Sequence, residues 1–136
     1  MSAAAASSVA TELPDFRVRR IAGLLRGYRY LFADEYQLQE TIARVLSDAG
    51  ESVMRERILD RRNRADVTTA DGIVIEVKIE GSLSAALRQC ERYSALDAVH
   101  GVVLAASVSW ARRGLVSRPR MGGKPFAMIY LARQSL

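Results

Sequence analysis

The chain has 136 residues, and 49% of them are hydrophobic, so one domain with a substantial core is expected. No apolar stretch approaches the roughly 18 residues that a membrane span needs, and the lone cysteine, Cys90, excludes an internal disulfide and a cysteine-type zinc site. The net charge is +5, carried almost entirely by arginine, since only Lys78 and Lys124 are lysines. We expect a reducing, cytoplasmic location and no membrane partner.

The positive charge is concentrated towards the two ends of the sequence. Residues 16–33 contain five arginines and no acid, and six basic residues but no acid follow Asp97. The acids lie mainly between these two segments. Basic flanks around an acidic centre suit a polyanion held over a metal site, so we expect a nucleic-acid partner.

The first predicted elements are a tail and a basic helix. Residues 1–15 begin with an alanine- and serine-rich run and are expected to form a disordered tail. Apolar residues at helical spacing predict an amphipathic helix over 16–32, although Gly23 and Gly27 weaken it. Residues 16–136 are expected to form a single domain.

The central elements alternate between helices and strands. Asp34 is predicted to cap a helix over 35–49, which Gly50 ends. Ser82 is predicted to cap a later helix that runs to about residue 97. Strands are predicted over 52–59, 65–69, 73–80, 101–107 and 126–132, with a basic loop over 110–123. This order predicts an α/β domain with helices flanking a mixed sheet.

The turn between the second and third elements of this sheet decides whether Asp66 and Glu76 meet. A two-residue turn at Asp71-Gly72 would send their side chains to opposite faces. A three-residue loop that starts at Ala70, with Gly72 left-handed, places Asp66 opposite Glu76. Only the second register gives the strands one apolar face, as a half-buried hairpin requires. That face consists of Val67, Ile73, Ile75, Val77 and Ile79.

Two further charged residues, Lys78 and Glu35, are expected beside Asp66 and Glu76. Lys78 shares the face of Glu76 because side chains alternate along a strand. Glu35 falls on the apolar stripe of its helix, where a metal ion or Lys78 would compensate its charge; the alternative is simple stabilisation by the helix macrodipole. Asp66, Glu76 and Lys78 are the minimum set for binding a divalent cation and activating a water.

These residues resemble a known signature. Asp66 followed by Glu76-Val77-Lys78 resembles the catalytic motif of the PD-(D/E)xK nucleases, which share the restriction-endonuclease-like fold. The proline that precedes the aspartate in the family is Ala65 here.

Two more segments strengthen the resemblance. The helix that begins at Glu35 resembles the one that carries an additional acidic metal ligand in VRR-type nucleases and Holliday-junction resolvases. Gln89-x-x-x-Tyr93 resembles a motif that follows the lysine in RecB-like nucleases. The resemblance covers about 35–107 and implies an αβββαβ core, with the N-terminal basic helix and the C-terminal strand as additions.

The resemblance implies a metal-dependent deoxyribonuclease from a phage or a bacterium. Asp66, Glu76, Glu35 and the carbonyl of Val77 would bind Mg²⁺ or Mn²⁺. Lys78 would orient the attacking water or stabilise the charge that develops on the phosphate. Gln89 and Tyr93 would line the site as further catalytic residues and position the DNA strand. The basic residues expected to contact DNA are Arg88, Arg92, Arg112, Arg113, Arg118, Arg120 and Lys124.

Other interpretations stay open at this point. The alternative function is a non-catalytic DNA-binding module of the same fold, and a third is a structural or regulatory protein whose charges are merely solvated. A small monomer offers a limited DNA footprint, which favours a homodimer or a nuclease–helicase or repair complex. Glu56 either faces the site or forms a surface ion pair. Trp110 either stacks on nucleic acid or packs in the domain.

Overall fold

The computed structural model describes residues 3–113 and 120–134, with side chains from Pro14 onward. The helices are α1 (Ala3–Arg26), α2 (Glu35–Asp48) and α3 (Leu83–Ser94), with a 3-10 helix at Ser109–Arg113. The strands are β1 (Val53–Ile58), β2 (Arg64–Thr69), β3 (Ile73–Lys78), β4 (Gly101–Ala106), β5 (Arg120–Met121) and β6 (Lys124–Tyr130). No helix in these two described stretches is long and apolar enough to cross a membrane.

The strands form one mixed sheet in the order β1-β2-β3-β4-β6-β5. β1, β2 and β3 are antiparallel neighbours, whereas β3, β4 and β6 are parallel. The short β5 pairs with the start of β6 in the antiparallel direction. The predicted α/β class and its mixed sheet are therefore confirmed.

Two clusters of buried side chains pack on opposite faces of this sheet. The α1/α2-side cluster joins those helices to the sheet and includes Val18, Ile21, Leu25, Leu38, Ile42, Val67, Ile75 and Val77. The α3-side cluster includes Ala65, Val74, Ala86, Cys90, Tyr93, Leu104 and Met128. The domain thus has three layers, with α1 and α2 on one face and α3 on the other.

The caps of α2 and α3 form as their sequences predict. Asp34 accepts a hydrogen bond from the Gln37 N–H at 2.8 Å, and Ser82 accepts one from the Ala85 N–H at 3.1 Å. These side chains satisfy N–H groups that the first turn of a helix leaves without partners.

The first helix differs from the prediction at both ends. It begins at Ala3 and ends at Arg26, instead of spanning 16–32. Gly27 is a poor helix former, and beyond it the Tyr30 N–H donates to the Ala132 carbonyl at 2.9 Å. Pairing with the C-terminal segment thus replaces a further helical turn. The helix thus includes residues 3–15 of the predicted tail, and the disorder of that tail stays a prediction.

The β2–β3 hairpin has the predicted register. Val67 pairs with Ile75, and Gly72 has a φ of 89°. A Cβ added to Gly72 would lie 2.6 Å from the Ala98 carbonyl oxygen, which is backbone and cannot swing aside. The neighbouring His100 N–H also donates to the Gly72 carbonyl at 2.8 Å. Glycine is therefore required here both for its left-handed backbone and for lack of space.

Replacing Gly72 with alanine tests this double requirement. Gly72→Ala should lower the free energy of unfolding by about 2–5 kcal/mol, from left-handed strain plus the clash. Gly50→Ala is the matched control, because Gly50 has a φ of 93° but nothing within 4 Å of an added Cβ. It should lose only about 1–2 kcal/mol. Urea denaturation measures both, and equal losses would contradict the close approach to Ala98.

Candidate active site

The β2–β3 ladder opens at Asp66. The paired residues are Val67 with Ile75 and Thr68 with Val74, so the predicted pair of Asp66 with Glu76 lies just beyond the end of the ladder. Ala65 packs in the α3-side cluster although Val67, two residues on, packs in the other one. The alternation of faces is thus broken at Asp66. β2 leaves β3 at this residue, which differs from the regular hairpin that the sequence suggests.

Carboxylates take the place of β2 along the end of β3. Asp66 Oδ2 accepts the Val77 N–H at 2.8 Å, and Glu35 Oε1 accepts the Ile79 N–H at 3.3 Å. The Lys78 carbonyl points the other way and accepts the Ser107 N–H at 2.9 Å. Because the N–H and C=O of one strand residue face the same edge, the Val77 carbonyl lies between the two N–H groups that bind these carboxylates.

Glu76 lies inside the domain at this end of β3. Its side chain is only 1% exposed, and its Oε2 is 3.2 Å from the Lys78 Nζ. Its Oε1 is 3.0 Å from the Tyr93 hydroxyl, which also lies 2.8 Å from the Arg64 carbonyl. The Gln89 side-chain amide donates to the same hydroxyl at 2.8 Å. These contacts connect four of the five predicted catalytic side chains, and the fifth, Asp66, accepts the N–H of Val77, the residue next to Glu76.

The hydroxyl of Tyr93 has a single proton for two acceptors. It cannot donate to the Arg64 carbonyl and to Glu76 at once. Both contacts are satisfied when Glu76 carries a proton and donates to the Tyr93 oxygen. Burial, and then the negative charge of Asp66, raise the pKa of Glu76 to about 8, which agrees with this arrangement.

The other ionisable groups of the site shift in the same direction. Burial raises the pKa of Asp66 and of Glu35, and the pKa of Glu35 is raised further by the charge of Asp66. Burial opposes the charged form of Lys78, but Glu76 and the other acids outweigh it and raise its pKa. All four groups thus hold protons more tightly than they would in water. For the three acids the main cause is burial, whereas for Lys78 it is the negative charge of the acids around it.

This donor set fits a hard divalent cation. Within 3–113 and 120–134 no three His, Cys, Asp or Glu side chains are grouped so as to hold a metal ion unaided. Mg²⁺ does not need such a cage, because it usually keeps several waters and binds one or two carboxylates. Asp66, Glu76 and the Val77 carbonyl offer oxygen ligands, and a cation would offset the excess negative charge. Glu35 lies beside them, where its Oε1 accepts the Ile79 N–H.

Glu56 is a fourth acid beside the site. The β1–β2 register, with Arg55 paired to Val67 and Arg57 to Ala65, places it opposite Asp66. Its φ of 51° is left-handed in the middle of a strand, an uncommon conformation for glutamate. Its charge also contributes to raising the pKa of Asp66. The sequence left its orientation open, and no strand pattern indicates a left-handed residue here.

Some of the basic residues predicted to bind DNA lie on elements that also contact the site. Arg88 and Arg92 are exposed on α3, which carries Gln89 and Tyr93, and Arg113 is exposed on the 3-10 helix. Arg112 stacks on the ring of Tyr130, with its guanidinium carbon 5.0 Å from the ring centre. Tyr130 pairs with Ala106, which pairs with Lys78.

The remaining predicted DNA contacts are not brought to the site. Lys124 precedes Tyr130 by six residues on β6, so it lies roughly 20 Å away at the opposite end of the sheet. Its Nζ donates to the Leu96 carbonyl at 2.7 Å. Arg120, on the neighbouring β5, forms a 2.9 Å ion pair with Asp15. Arg118 lies outside the described residues.

The raised pKa of Glu76 predicts how the stability of the metal-free protein depends on pH. The unfolded chain releases this proton near 4.5, whereas the folded protein keeps it to about 8. Proton release therefore stabilises the unfolded chain in this window, and Glu76 by itself should lower the free energy of unfolding by at most about 1.4 kcal/mol per pH unit. Urea denaturation across pH 4–9 measures the slope.

Glu76→Gln should flatten this slope, because glutamine does not titrate. Glu40→Gln, which removes a 60% exposed carboxylate from α2, should keep the wild-type slope. A Glu76→Gln protein with an unchanged slope would show that another group causes the dependence.

Comparisons with protein-family models, with curated proteins and with solved structures find no match to this chain. The support for a function therefore comes from the residues of the site and their geometry.

Proposed function

We propose that this protein is a metal-dependent nuclease that hydrolyses DNA phosphodiester bonds. The observation that carries the proposal is the group at the end of β3, where Asp66 and Glu35 bind the strand edge and Glu76 lies 3.2 Å from Lys78. Three acids, a backbone carbonyl and an ammonium at one open strand end can bind a cation and stabilise the phosphate that reacts.

The topology supports the same proposal. From α2 to β4 the chain runs α, β, β, β, α, β, and the four strands are neighbours in the order β1-β2-β3-β4. This is the order of the restriction-endonuclease-like core, which we propose for residues 35–107. Under this proposal α1, β5 and β6 are additions to the core.

In the proposed mechanism Asp66, Glu76 and the Val77 carbonyl hold Mg²⁺ or Mn²⁺, with Glu35 beside them. The bound cation would supply Lewis-acid charge to the phosphate and lower the pKa of a water. Asp66 and Glu35 are each fixed by a backbone N–H, so little side-chain freedom is lost when the site is used.

Lys78 is the cationic residue of the site. Its side chain is 26% exposed, so it can reach both Glu76 and a substrate above the strand end. The surrounding acids raise its pKa, which keeps it charged. A compact ammonium can orient the attacking water or stabilise charge on the phosphate.

Gln89 and Tyr93 act through Glu76 in this proposal. Tyr93 is only 1% exposed, and its hydroxyl contacts Glu76 and the Arg64 carbonyl. A side chain buried to this degree does not contact a DNA strand. We therefore assign Tyr93 as a positioning residue that sets the orientation and protonation of Glu76, and Gln89 supports it by donating to its hydroxyl.

Cleavage and metal binding test the proposal together. Wild-type protein should bind Mn²⁺ in a calorimetric titration and cleave labelled single-strand, duplex, flap or four-way-junction DNA, with EDTA abolishing cleavage. Glu76→Gln should lose the heat of Mn²⁺ binding, because a neutral amide replaces a carboxylate ligand. Lys78→Ala should keep Mn²⁺ binding but cleave about 100-fold more slowly or worse.

Arg44→Gln is the control, since it removes one exposed charge from α2 away from the carboxylates. It should bind Mn²⁺ and cleave like wild type. No Mn²⁺ binding by the wild-type protein would remove the nuclease proposal. DNA binding without cleavage under any metal would favour the non-catalytic DNA-binding module instead.

A further inference from the structure

A basic cavity lies along the outer edge of β6. It has a volume of about 370 Å³ and is lined by guanidinium groups from two elements, Arg26 at the end of α1 and Arg112 and Arg113 on the 3-10 helix. Its remaining lining comes mainly from β6, including Tyr130, and contains no acid. Three arginines thus face one space that is large enough for a phosphate and its attached sugar.

No carboxylate among the described side chains neutralises the charges in this cavity. Among the side chains described here, neither Arg26 nor either arginine of the 3-10 helix forms an ion pair with a carboxylate. Other arginines of the chain are paired, for example Arg17 with Glu51 and Asp71. Three like charges around one space repel one another, so an anion there would be stabilising.

One of the three guanidinium groups is held in place. Arg112 lies over the Tyr130 ring at 5.0 Å, and its NH2 group donates to the Tyr130 hydroxyl at 3.2 Å. The guanidinium fork matches the oxygens of a phosphate, and a fork already fixed by stacking loses less side-chain entropy on binding.

The cavity lies on the same side of the molecule as the carboxylates. Lys78, Ala106 and Tyr130 are register partners on three parallel strands, so Lys78 and Tyr130 point to the same face. Their backbones are two strand spacings apart, roughly 10 Å. The Trp110 indole N–H donates to the Gly81 carbonyl at 3.0 Å and so fixes the 3-10 helix beside the end of β3.

We infer that this cavity binds a phosphate group of the same nucleic-acid strand that the carboxylate site cleaves, a few nucleotides from the scissile bond. The inference rests on the proposed nuclease function for the identity of the strand. The separation of roughly 10 Å between the Lys78 and Tyr130 backbones places the cavity within a few nucleotides of a bond held at the carboxylates. Arg26 and Arg113 would then contact the phosphate beside the fixed Arg112.

Binding in the absence of cleavage tests the inference. Dissociation constants are measured in EDTA for a fluorescent 20-nucleotide single strand without terminal phosphates, at several salt concentrations. Arg26→Gln/Arg113→Gln should bind about tenfold more weakly, and its slope of log affinity against log salt should be smaller by roughly 0.7 or more. The matched control, Arg19→Gln/Arg44→Gln, removes two exposed charges from α1 and α2 and should bind nearly as wild type.

Equal losses in the two double variants would mean that only net charge matters, which would overturn the inference. A second arm measures thermal stabilisation by inorganic phosphate at constant ionic strength. Loss of this stabilisation in Arg26→Gln/Arg113→Gln, with unchanged strand binding, would assign the cavity to free phosphate and also overturn it. Because no cleavage is needed, weakened strand binding in that variant would support the cavity even if the Glu76 and Lys78 variants disproved the nuclease.

Discussion

The Asp66 carboxylate accepts the Val77 N–H at the point where β2 stops pairing with β3. A buried N–H without a partner costs about as much as a lost hydrogen bond, so the carboxylate completes the bonding of β3 while the strand holds it in place. Glu35 does the same for Ile79 one step further along. The positions of both acids are therefore set by the backbone of β3, which is itself fixed on its other edge by β4.

This arrangement has an electrostatic cost. Glu76 is almost fully buried, and together with Asp66 and Glu35 it outnumbers the one cation, Lys78. Burial raises the pKa values of all three acids, so the folded domain disfavours their charged forms at this point. A domain selected only for stability would gain by replacing such a group with apolar residues. Its presence is understandable if a divalent cation is bound there during function.

The hairpin register could be predicted from the sequence because the two strands must share one apolar face. Gly72 supplies the left-handed residue that the loop of this register needs. Glu35 was found in the same way, from its place on an apolar helical stripe. The opening of the ladder at Asp66 could not be predicted, because a regular strand pattern continues through it. The left-handed backbone of Glu56 could not be predicted either, since nothing in its local sequence distinguishes it from a neighbouring strand residue.

The strand directions explain why the charge of the C-terminal segment does not predict which of its basic residues lie near the carboxylates. β3, β4 and β6 are parallel, so their carboxyl ends lie at one end of the sheet, where Lys78 and Tyr130 are found. In the acid-free C-terminal segment, Lys124 begins β6 at the other end of the sheet, whereas Tyr130, with Arg112 stacked on it, lies at the end that carries Lys78. Charge within one segment is thus divided between two ends of the domain. A polyanion over Glu76 would meet Arg112 long before it met Lys124, which makes the cavity beside Tyr130 a nearer source of positive charge than β5.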